Sequence, residues 1–158
     1  MLCRRARREA GHKAEPSAAV LDSQSVKGAD TVGEDSRGYD ANKKINGPKR
    51  FVVTDTLGLL LVVMVRPASV QDRAGATTML LGLYLSGRCR AVFADQSFSG
   101  RLVLWARQML GITVHIVAKP AGQRGFRVHP RRWVVERALA WLLTLKVWCL
   151  GELTAGDL

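Results

Sequence analysis

Three acidic side chains occupy positions from which they could share a cation, although they lie far apart in the sequence. Asp22 follows the apolar run AAVL at 18–21, and Asp95 follows the apolar run AVFA at 91–94. Ligand sites in open α/β sheets form outside the carboxyl ends of strands, so these two carboxylates would face each other if their strands are neighbours. Glu136 lies beside the apolar stripe of a predicted helix, and that helix could carry it over the strand ends.

Clustered carboxylates repel one another unless a cation lies between them. Oxygen ligands with no His or Cys nearby favour Mg²⁺ or Mn²⁺. Two such ions about 4 Å apart can activate a water or a 3′-hydroxyl and stabilise the leaving oxygen of a phosphodiester. The competing interpretation is that Asp22 and Asp95 only cap the turns that follow them and that Glu136 is a solvated helix residue. The trio and its basic surroundings favour the metal site, with all three residues as catalytic ligands.

The chain is strongly basic, with 24 Lys and Arg against 13 Asp and Glu, a net charge of +11 over 158 residues. This excess favours a polyanionic partner, nucleic acid before an anionic membrane surface. Two basic clusters are predicted to contact DNA phosphates, and the competing interpretation for each is a solvated charged loop. The predicted DNA-binding residues are Lys43, Lys44, Lys49 and Arg50 in the first cluster, and Arg124, Arg127, Arg131, Arg132 and Arg137 around Glu136.

Composition also argues against several classes of protein. Apolar residues make up 47% of the chain, which predicts a globular fold with a core. The three cysteines are scattered and form no CxxC pair, which disfavours a zinc site and fits a reducing cytosol. The longest apolar run, 57–65, is too short to span a bilayer, and no signal peptide follows the N-terminus. We therefore expect a cytoplasmic protein with no membrane partner.

The elements that must position the three carboxylates follow from hydrophobic periodicity and turn signals. The first part of the chain predicts a basic helix or arm over residues 1–17, a strand over 18–21 and a long loop over 28–48. Residues 51–54 and 59–65 predict a β-hairpin. The second hairpin strand is apolar on both faces, so we expect it to be covered on both sides.

The rest of the chain alternates helix and strand, which favours a mixed sheet covered by helices. A capping-box pattern at 69–72 predicts a helix over 70–85, and residues 90–94 predict the strand before Asp95. The remaining predicted elements are a helix over 99–110 with Leu102, Trp105, Ala106 and Met109 on its apolar side and Gly111 at its end, a strand over 112–118 with Ile112, Val114 and Ile116 on one face, and a helix that starts near Pro130.

Five segments together closely resemble the DDE-class transposases of bacterial insertion sequences. They are AVLDSQSVK (19–27), RGYDANKK (37–44), DTLGLLLVVMVRPASVQDR (55–73), VFADQSFSG (92–100) and RGFRVHPRRWVVERALAWL (124–142). The resemblance implies a ribonuclease-H-like α/β fold, a mixed sheet flanked by helices. It also implies cutting of the element's ends and joining of their 3′-hydroxyls to target DNA, with two Mg²⁺ or Mn²⁺ ions per site. Asp22, Asp95 and Glu136 match the family's catalytic triad, and Arg132 matches an arginine four residues before the glutamate.

The resemblance also divides the chain and marks its departures from the family. We expect a basic N-terminal remnant over 1–17, a ribonuclease-H-like catalytic domain over 18–142 and an atypical tail over 143–158. Relatives have a longer helical N-terminal region and an Arg-rich C-terminal helix, so we expect a copy truncated at one end and frameshifted at the other. Relatives also carry a Gly-Gly-Tyr stretch where this chain has Gln96-Ser97-Phe98.

The expected partner is double-stranded DNA, as element ends and as target, and a homodimer with a second copy of the chain is left open. Two other functions stay open at this point. One is a catalytically inactive DNA-binding remnant of a transposase. The other is a different nuclease of the ribonuclease-H-like class.

Overall fold

The computed structural model describes residues 2–28, 37–87 and 89–117. In chain order the elements are α1 (Leu2–Glu9), β1 (Ala18–Ser25), β2 (Gly38–Asp40), β3 (Ile45–Asp55), β4 (Leu60–Pro67), α2 (Asp72–Leu85), β5 (Ala91–Asp95), a short 3-10 helix (Gln96–Phe98), α3 (Arg101–Leu110) and β6 (Thr113–Val117). The described residues thus contain most of the predicted strands and helices, together with the short strand β2, which was not predicted.

The strands form one six-stranded mixed sheet. Its order is β2-β3-β1-β5-β6, and β4 also pairs with β3. The strands β1, β2 and β4 all run antiparallel to β3, whereas β5 runs parallel to both β1 and β6. The predicted mixed sheet covered by helices is therefore confirmed.

The β3–β4 hairpin is closed by the side chain of Asp55. Its Oδ1 accepts hydrogen bonds from the backbone N–H groups of Leu57 and Leu59, at 2.9 and 2.8 Å. Its Oδ2 forms a buried ion pair with Arg7 of α1. The hairpin prediction is confirmed, and so is the helical interpretation of the basic N-terminal segment, which is attached to the hairpin by this ion pair.

The main core lies between the sheet and the two helices α2 and α3. Leu21 and Phe51 from the sheet pack there with Leu80 and Leu83 of α2. Gly75 permits the close approach, because a Cβ atom at this position would lie 2.2 Å from the ring of Phe51. A smaller cluster forms on the other face of the sheet around Val20 and Val52, with Leu60 and Phe93 packed against it.

Several expectations about the first half of the chain are wrong. The first strand does not end at Asp22 but continues to Ser25, because residues 19–25 all pair with β3. The predicted loop over 28–48 contains β2 and the start of β3, which form a tight hairpin. The strand β4 is not covered on both sides: Val63 and Val65 are 46% and 57% exposed, because β4 lies at an edge and presents one face to solvent.

The helices show a similar mixture of outcomes. α2 forms, but no capping box starts it, since its N-cap residue Gln71 makes no side-chain cap hydrogen bond. α3 buries Leu102 and Ala106 as predicted, whereas Met109 is 68% exposed. Gly111 ends α3 in the left-handed conformation, as predicted.

The last described strand, β6, has the predicted apolar face. Ile112 precedes it, and all three predicted residues, Ile112, Val114 and Ile116, belong to the main core or pack against it. The predicted helix after Pro130 and the tail over 143–158 lie outside the described residues. Among the described residues, no helix is both long enough and apolar enough to cross a bilayer.

Candidate active site

The parallel pairing of β1 with β5 brings Asp22 and Asp95 to the same level of the sheet. Ala18 pairs with Ala91 and Val20 pairs with Phe93, an offset of 73 residues. The same offset separates Asp22 from Asp95. Continuing this register by two residues beyond its last pair, Val20 with Phe93, places the two aspartates opposite each other on adjacent strands, whose usual spacing is about 4.8 Å. The expectation that their strands adjoin is confirmed.

Both carboxylates lie on the face of the sheet opposite α2 and α3. Side chains alternate between the two faces of a strand. Val20 and Phe93 belong to the small cluster on the far face, and Asp22 and Asp95 each follow two residues later. The two aspartates therefore share one face of the sheet, at the end where β5 stops.

The two aspartates differ in their local hydrogen bonds. Asp22 is half-buried inside β1, and its Oδ1 accepts a hydrogen bond from the N–H of Ser23 at 2.7 Å. Asp95 is the last residue of β5, and its Oδ1 accepts from the N–H and the hydroxyl of Ser97, at 2.9 and 2.5 Å. Asp95 thus caps the 3-10 helix with one oxygen, so a capping role and a ligand role are not mutually exclusive.

The donor set fits a divalent cation as far as the described residues extend. Two carboxylates from neighbouring strands supply hard oxygen ligands, the type that Mg²⁺ and Mn²⁺ prefer. Glu136, the predicted third ligand, lies outside the described residues, and in the described ranges no group of three or more His, Cys, Asp or Glu could hold a metal. The structure therefore brings together two of the three predicted ligands.

One predicted DNA-binding turn lies beside the strand that carries Asp22. The turn between β2 and β3 exposes Lys43 and Lys44, and Lys44 adopts a positive φ of 54°. The Nζ of Lys43 lies 3.5 Å from the carbonyl oxygen of Ser23, the residue after Asp22. The Lys43 ammonium therefore lies next to the residue that follows Asp22, and Lys44 is exposed in the same turn. The predicted arginines 124, 127, 131, 132 and 137 lie outside the described residues.

Lys49 and Arg50 do not fit the predicted role in DNA binding. Lys49 is only 4% exposed, because its side chain points into the core face of the sheet. Arg50 is 8% exposed, and burial lowers the pKa of its guanidinium. The burial of both side chains argues against a direct contact with a phosphate, whereas Lys43 and Lys44 are exposed.

Sequence reasoning missed a buried polar network on the face of β1 that packs against α2. The Nζ of Lys49 lies 3.3 Å from Asp40 Oδ2, 3.2 Å from Asp72 Oδ1 and 2.9 Å from the carbonyl oxygen of Val70. Ser25 donates to Asp40 at 2.5 Å, and Ser23 donates to Asp72 at 2.8 Å. These residues form the Lys49 network: Ser23, Ser25, Asp40, Lys49 and Asp72. No local sequence pattern predicts the Lys49 network, because its members come from four different elements.

The network keeps Asp40 ionised. Burial alone would raise the pKa of Asp40, but the hydrogen bonds from Ser25 and the N–H of Lys43, with the charge of Lys49, outweigh it. The pKa of Asp40 is lowered from 3.8 to about 2.

A model of a known protein family matches most of the sequence. The family described as Transposase DDE domain matches residues 13–149. The chain belongs to the transposase DDE domain family. The resemblance drawn from the sequence segments is thus confirmed for the family, whose members generally use divalent metal ions. The origin of this DDE transposase domain in a bacterial insertion sequence stays a prediction.

Two solved structures that share this fold come from viruses. A chain of the cryoEM structure of the simian T-cell lymphotropic virus intasome, in complex with PP2A regulatory subunit B56 gamma, matches with a TM-score of 0.60 and 15% identity. That match covers 91% of this chain and 45% of the viral one. The catalytic core domain of BIV integrase matches with a TM-score of 0.51 and 17% identity, over 87% of this chain and 74% of that domain.

These matches confirm the ribonuclease-H-like fold of the DDE transposase domain. The chain spans less than half the length of the intasome protein that it resembles. No curated protein matches the sequence significantly.

Proposed function

We propose that this DDE transposase domain cuts phosphodiester bonds at the ends of an insertion sequence and joins the freed 3′-hydroxyls to target DNA. The observation that supports the proposal most directly is the offset of 73 residues between β1 and β5, which brings Asp22 level with Asp95. Membership of the transposase DDE domain family supplies the reaction class. The ribonuclease-H-like sheet supplies the two adjacent inner strands, β1 and β5, that carry the two carboxylates.

Asp22, Asp95 and Glu136 are the residues that we propose as ligands for two Mg²⁺ or Mn²⁺ ions. When bound, such ions activate a water or a 3′-hydroxyl and stabilise the leaving oxygen. The contribution of the chain is to hold both aspartates on paired strands, because Asp22 pairs with Val52 and Asp95 pairs with Val117. A site on strands is held more accurately than one on loops, which suits a reaction that depends on in-line geometry.

Double-stranded DNA is the proposed partner. The net charge of +11 supports a polyanionic ligand, and the exposed pair Lys43 and Lys44 lies beside the strand of Asp22. We propose that this pair contacts backbone phosphates near the scissile bond. The arginines 124, 127, 131, 132 and 137 belong to the same proposal on the strength of the sequence.

Two further features of the proposal concern the setting. We propose that the protein works in the bacterial cytoplasm on nucleoid DNA.

We also propose that it acts as a homodimer on paired ends, which the exposed apolar side chains Leu104 and Met109 on α3 support. Analytical ultracentrifugation should show a concentration-dependent dimer, and a monomer throughout would remove this part of the proposal.

A nicking assay with Asp95→Asn tests the catalytic assignment. The substrate is a supercoiled plasmid that carries the genomic DNA flanking the gene, with Mn²⁺ as the added ion. Changes to residues one shell away from a metal typically cost 10-fold to 100-fold, so loss of a ligand should reduce nicking by more than about 100-fold. DNA affinity and the thermal melting curve should stay as in the wild type. Nicking that persists in Asp95→Asn would refute the assignment.

The double variant Lys43→Ala, Lys44→Ala tests the DNA contact. Each phosphate contact contributes about 0.9 to the slope of log K against log[salt], so the slope should fall by up to about 1.8. The matched control is Arg8→Ala with Lys13→Ala, which removes the same charge from exposed positions in and after α1. Equal slopes for the two double variants would show that only net charge matters.

One observation favours the second candidate, a DNA-binding remnant without catalysis. Ser97, at a position where relatives carry glycine, donates its hydroxyl to Asp95 Oδ1. This bond competes with a cation for the same oxygen. Wild-type protein that binds the plasmid but never nicks it, at any Mn²⁺ concentration, would establish this alternative.

A further inference from the structure

The ammonium of Lys49 is buried with all its bonding capacity used. A lysine ammonium has three N–H donors. The Nζ of Lys49 has three oxygen neighbours within 3.3 Å, namely Asp40 Oδ2, Asp72 Oδ1 and the carbonyl oxygen of Val70. Burying a charge is costly unless it is paired and hydrogen-bonded, and this arrangement meets both conditions.

The Lys49 network holds the half of β1 that begins at Asp22. Ser23 and Ser25 lie in that half and donate to Asp72 and Asp40, the two carboxylates that meet at Lys49. Ser25 also pairs with Lys49 in the β1–β3 register. The network therefore fixes this stretch of β1 from the face that packs against α2, while Asp22 occupies the opposite face.

The same network joins the last residue of β2 and the first residue of α2 to β1 and β3. Asp40 ends β2, whose hairpin carries Lys43, and Asp72 begins α2. Each carboxylate accepts a hydrogen bond from a serine of β1, and the Lys49 ammonium lies between the two carboxylates. Loss of that charge would leave two carboxylates facing each other without a counterion, and they would move apart.

We propose that Lys49 is a positioning residue for the metal site: it holds β1 around Asp22 so that this carboxylate stays level with Asp95. The inference rests on the proposed function for the identity of the site. It replaces the predicted DNA contact of Lys49 with a role exerted through Ser23 and Ser25. Lys49 itself touches neither DNA nor metal.

Direct measurement of Mn²⁺ binding by electron paramagnetic resonance tests the proposal independently of activity. Partners one shell out from a ligand affect metal affinity by about 10-fold to 100-fold when removed, so Lys49→Met should raise the Kd for Mn²⁺ by about 10-fold. Electrostatics alone predicts the opposite sign, because the substitution removes a positive charge from the neighbourhood of a cation site. A weaker Mn²⁺ affinity in Lys49→Met would therefore show a change in the position of Asp22 and not the loss of a nearby charge.

Two further variants protect the test from misfolding of Lys49→Met. Ser23→Ala removes one hydrogen bond of the network and should raise the Kd for Mn²⁺ by about threefold. Thr77→Ala is the matched control, because the Thr77 hydroxyl donates to the Arg73 carbonyl within α2 and takes no part in the network. Its Mn²⁺ affinity should equal that of the wild type.

A salt titration of DNA binding separates the new role from the old prediction. The slope of log K against log[salt] should be unchanged in folded Lys49→Met, whereas a lost phosphate contact would lower it by about 0.9. Unchanged Mn²⁺ affinity in both Lys49→Met and Ser23→Ala would overturn the inference. Wild-type protein that binds Mn²⁺ with these dependences but does not nick DNA would leave the inference standing and refute the proposed activity.

Discussion

At the scale of single residues, the chemistry of the site depends on which carboxylate oxygens are available to a cation. Asp95 Oδ1 already accepts two hydrogen bonds from Ser97. The N–H bond is a backbone cap that a glycine at this position would keep. The hydroxyl bond is specific to serine, so the glycine that the resemblance implies at this position would leave Oδ1 of this proposed ligand with one hydrogen bond fewer.

Replacing Ser97 should therefore strengthen metal binding. A hydrogen bond to a charged group contributes about 1.5 kcal/mol, so Ser97→Gly should lower the Kd for Mn²⁺ by about 10-fold. The measurement is the same resonance titration, and Ser99→Ala, two residues further along, serves as the control. An Mn²⁺ affinity that does not change in Ser97→Gly would show that Oδ1 is not a ligand oxygen.

At the scale of elements, the site depends on how closely α2 lies against the sheet. Gly75 faces the ring of Phe51, and a Cβ atom there would lie 2.2 Å from a ring carbon. The Phe51 side chain is fully buried, so its ring can move away only by displacing neighbouring core residues. The residue in α2 must therefore be glycine for the helix to keep this distance from β3, the strand that pairs with β1.

Gly75→Ala should destabilise the fold through this contact. Overpacking of a core costs about 1–3 kcal/mol, which a urea unfolding curve would show as a lower free energy of unfolding. Gly82→Ala in the same helix is the control. A Cβ atom at Gly82 would meet only Val62 Cγ1, at an ordinary 3.6 Å. Gly82→Ala should stabilise the protein by about 0.5–1 kcal/mol, because alanine favours a helix over glycine. Equal effects at the two positions would contradict the packing explanation.

At the scale of the whole molecule, the Lys49 network connects stability to pH. The pKa of Asp40 is lowered from 3.8 to about 2 in the folded chain, so folding favours its ionised form. A carboxyl group of this kind contributes stability above its unfolded pKa, and the contribution is lost as the pH falls through the folded value. The sensitive interval therefore lies between about pH 4 and pH 2.

Acid unfolding of the wild type and Asp40→Asn measures this contribution. Between pH 4 and pH 2 the wild type should lose at most about 2 kcal/mol more than the variant, since one pKa unit corresponds to about 1.4 kcal/mol. Asp40→Asn should be less stable than the wild type at pH 7 and should show a weaker dependence on pH in that interval. Parallel curves would show that Asp40 does not carry the acid sensitivity.

The sequence by itself determined the features that depend on local patterns. The β3–β4 hairpin follows from two apolar runs around a turn that Asp55 closes, and the apolar face of β6 follows from strict alternation. The end of α3 at Gly111 follows from the sequence, because the backbone there adopts the left-handed conformation that glycine favours. The family resemblance was likewise carried by contiguous segments.

Only the tertiary structure decided the features that depend on which strands adjoin. Asp22 and Asp95 are 73 residues apart, and their common level is a property of the β1–β5 register. Lys43 and Lys49 look alike in the sequence, yet one is exposed and the other is buried. Asp40 and Asp72 reach Lys49 from distant elements. A charge is stable in the interior only where the fold supplies its partners, and no local pattern encodes partners that the chain brings from elsewhere.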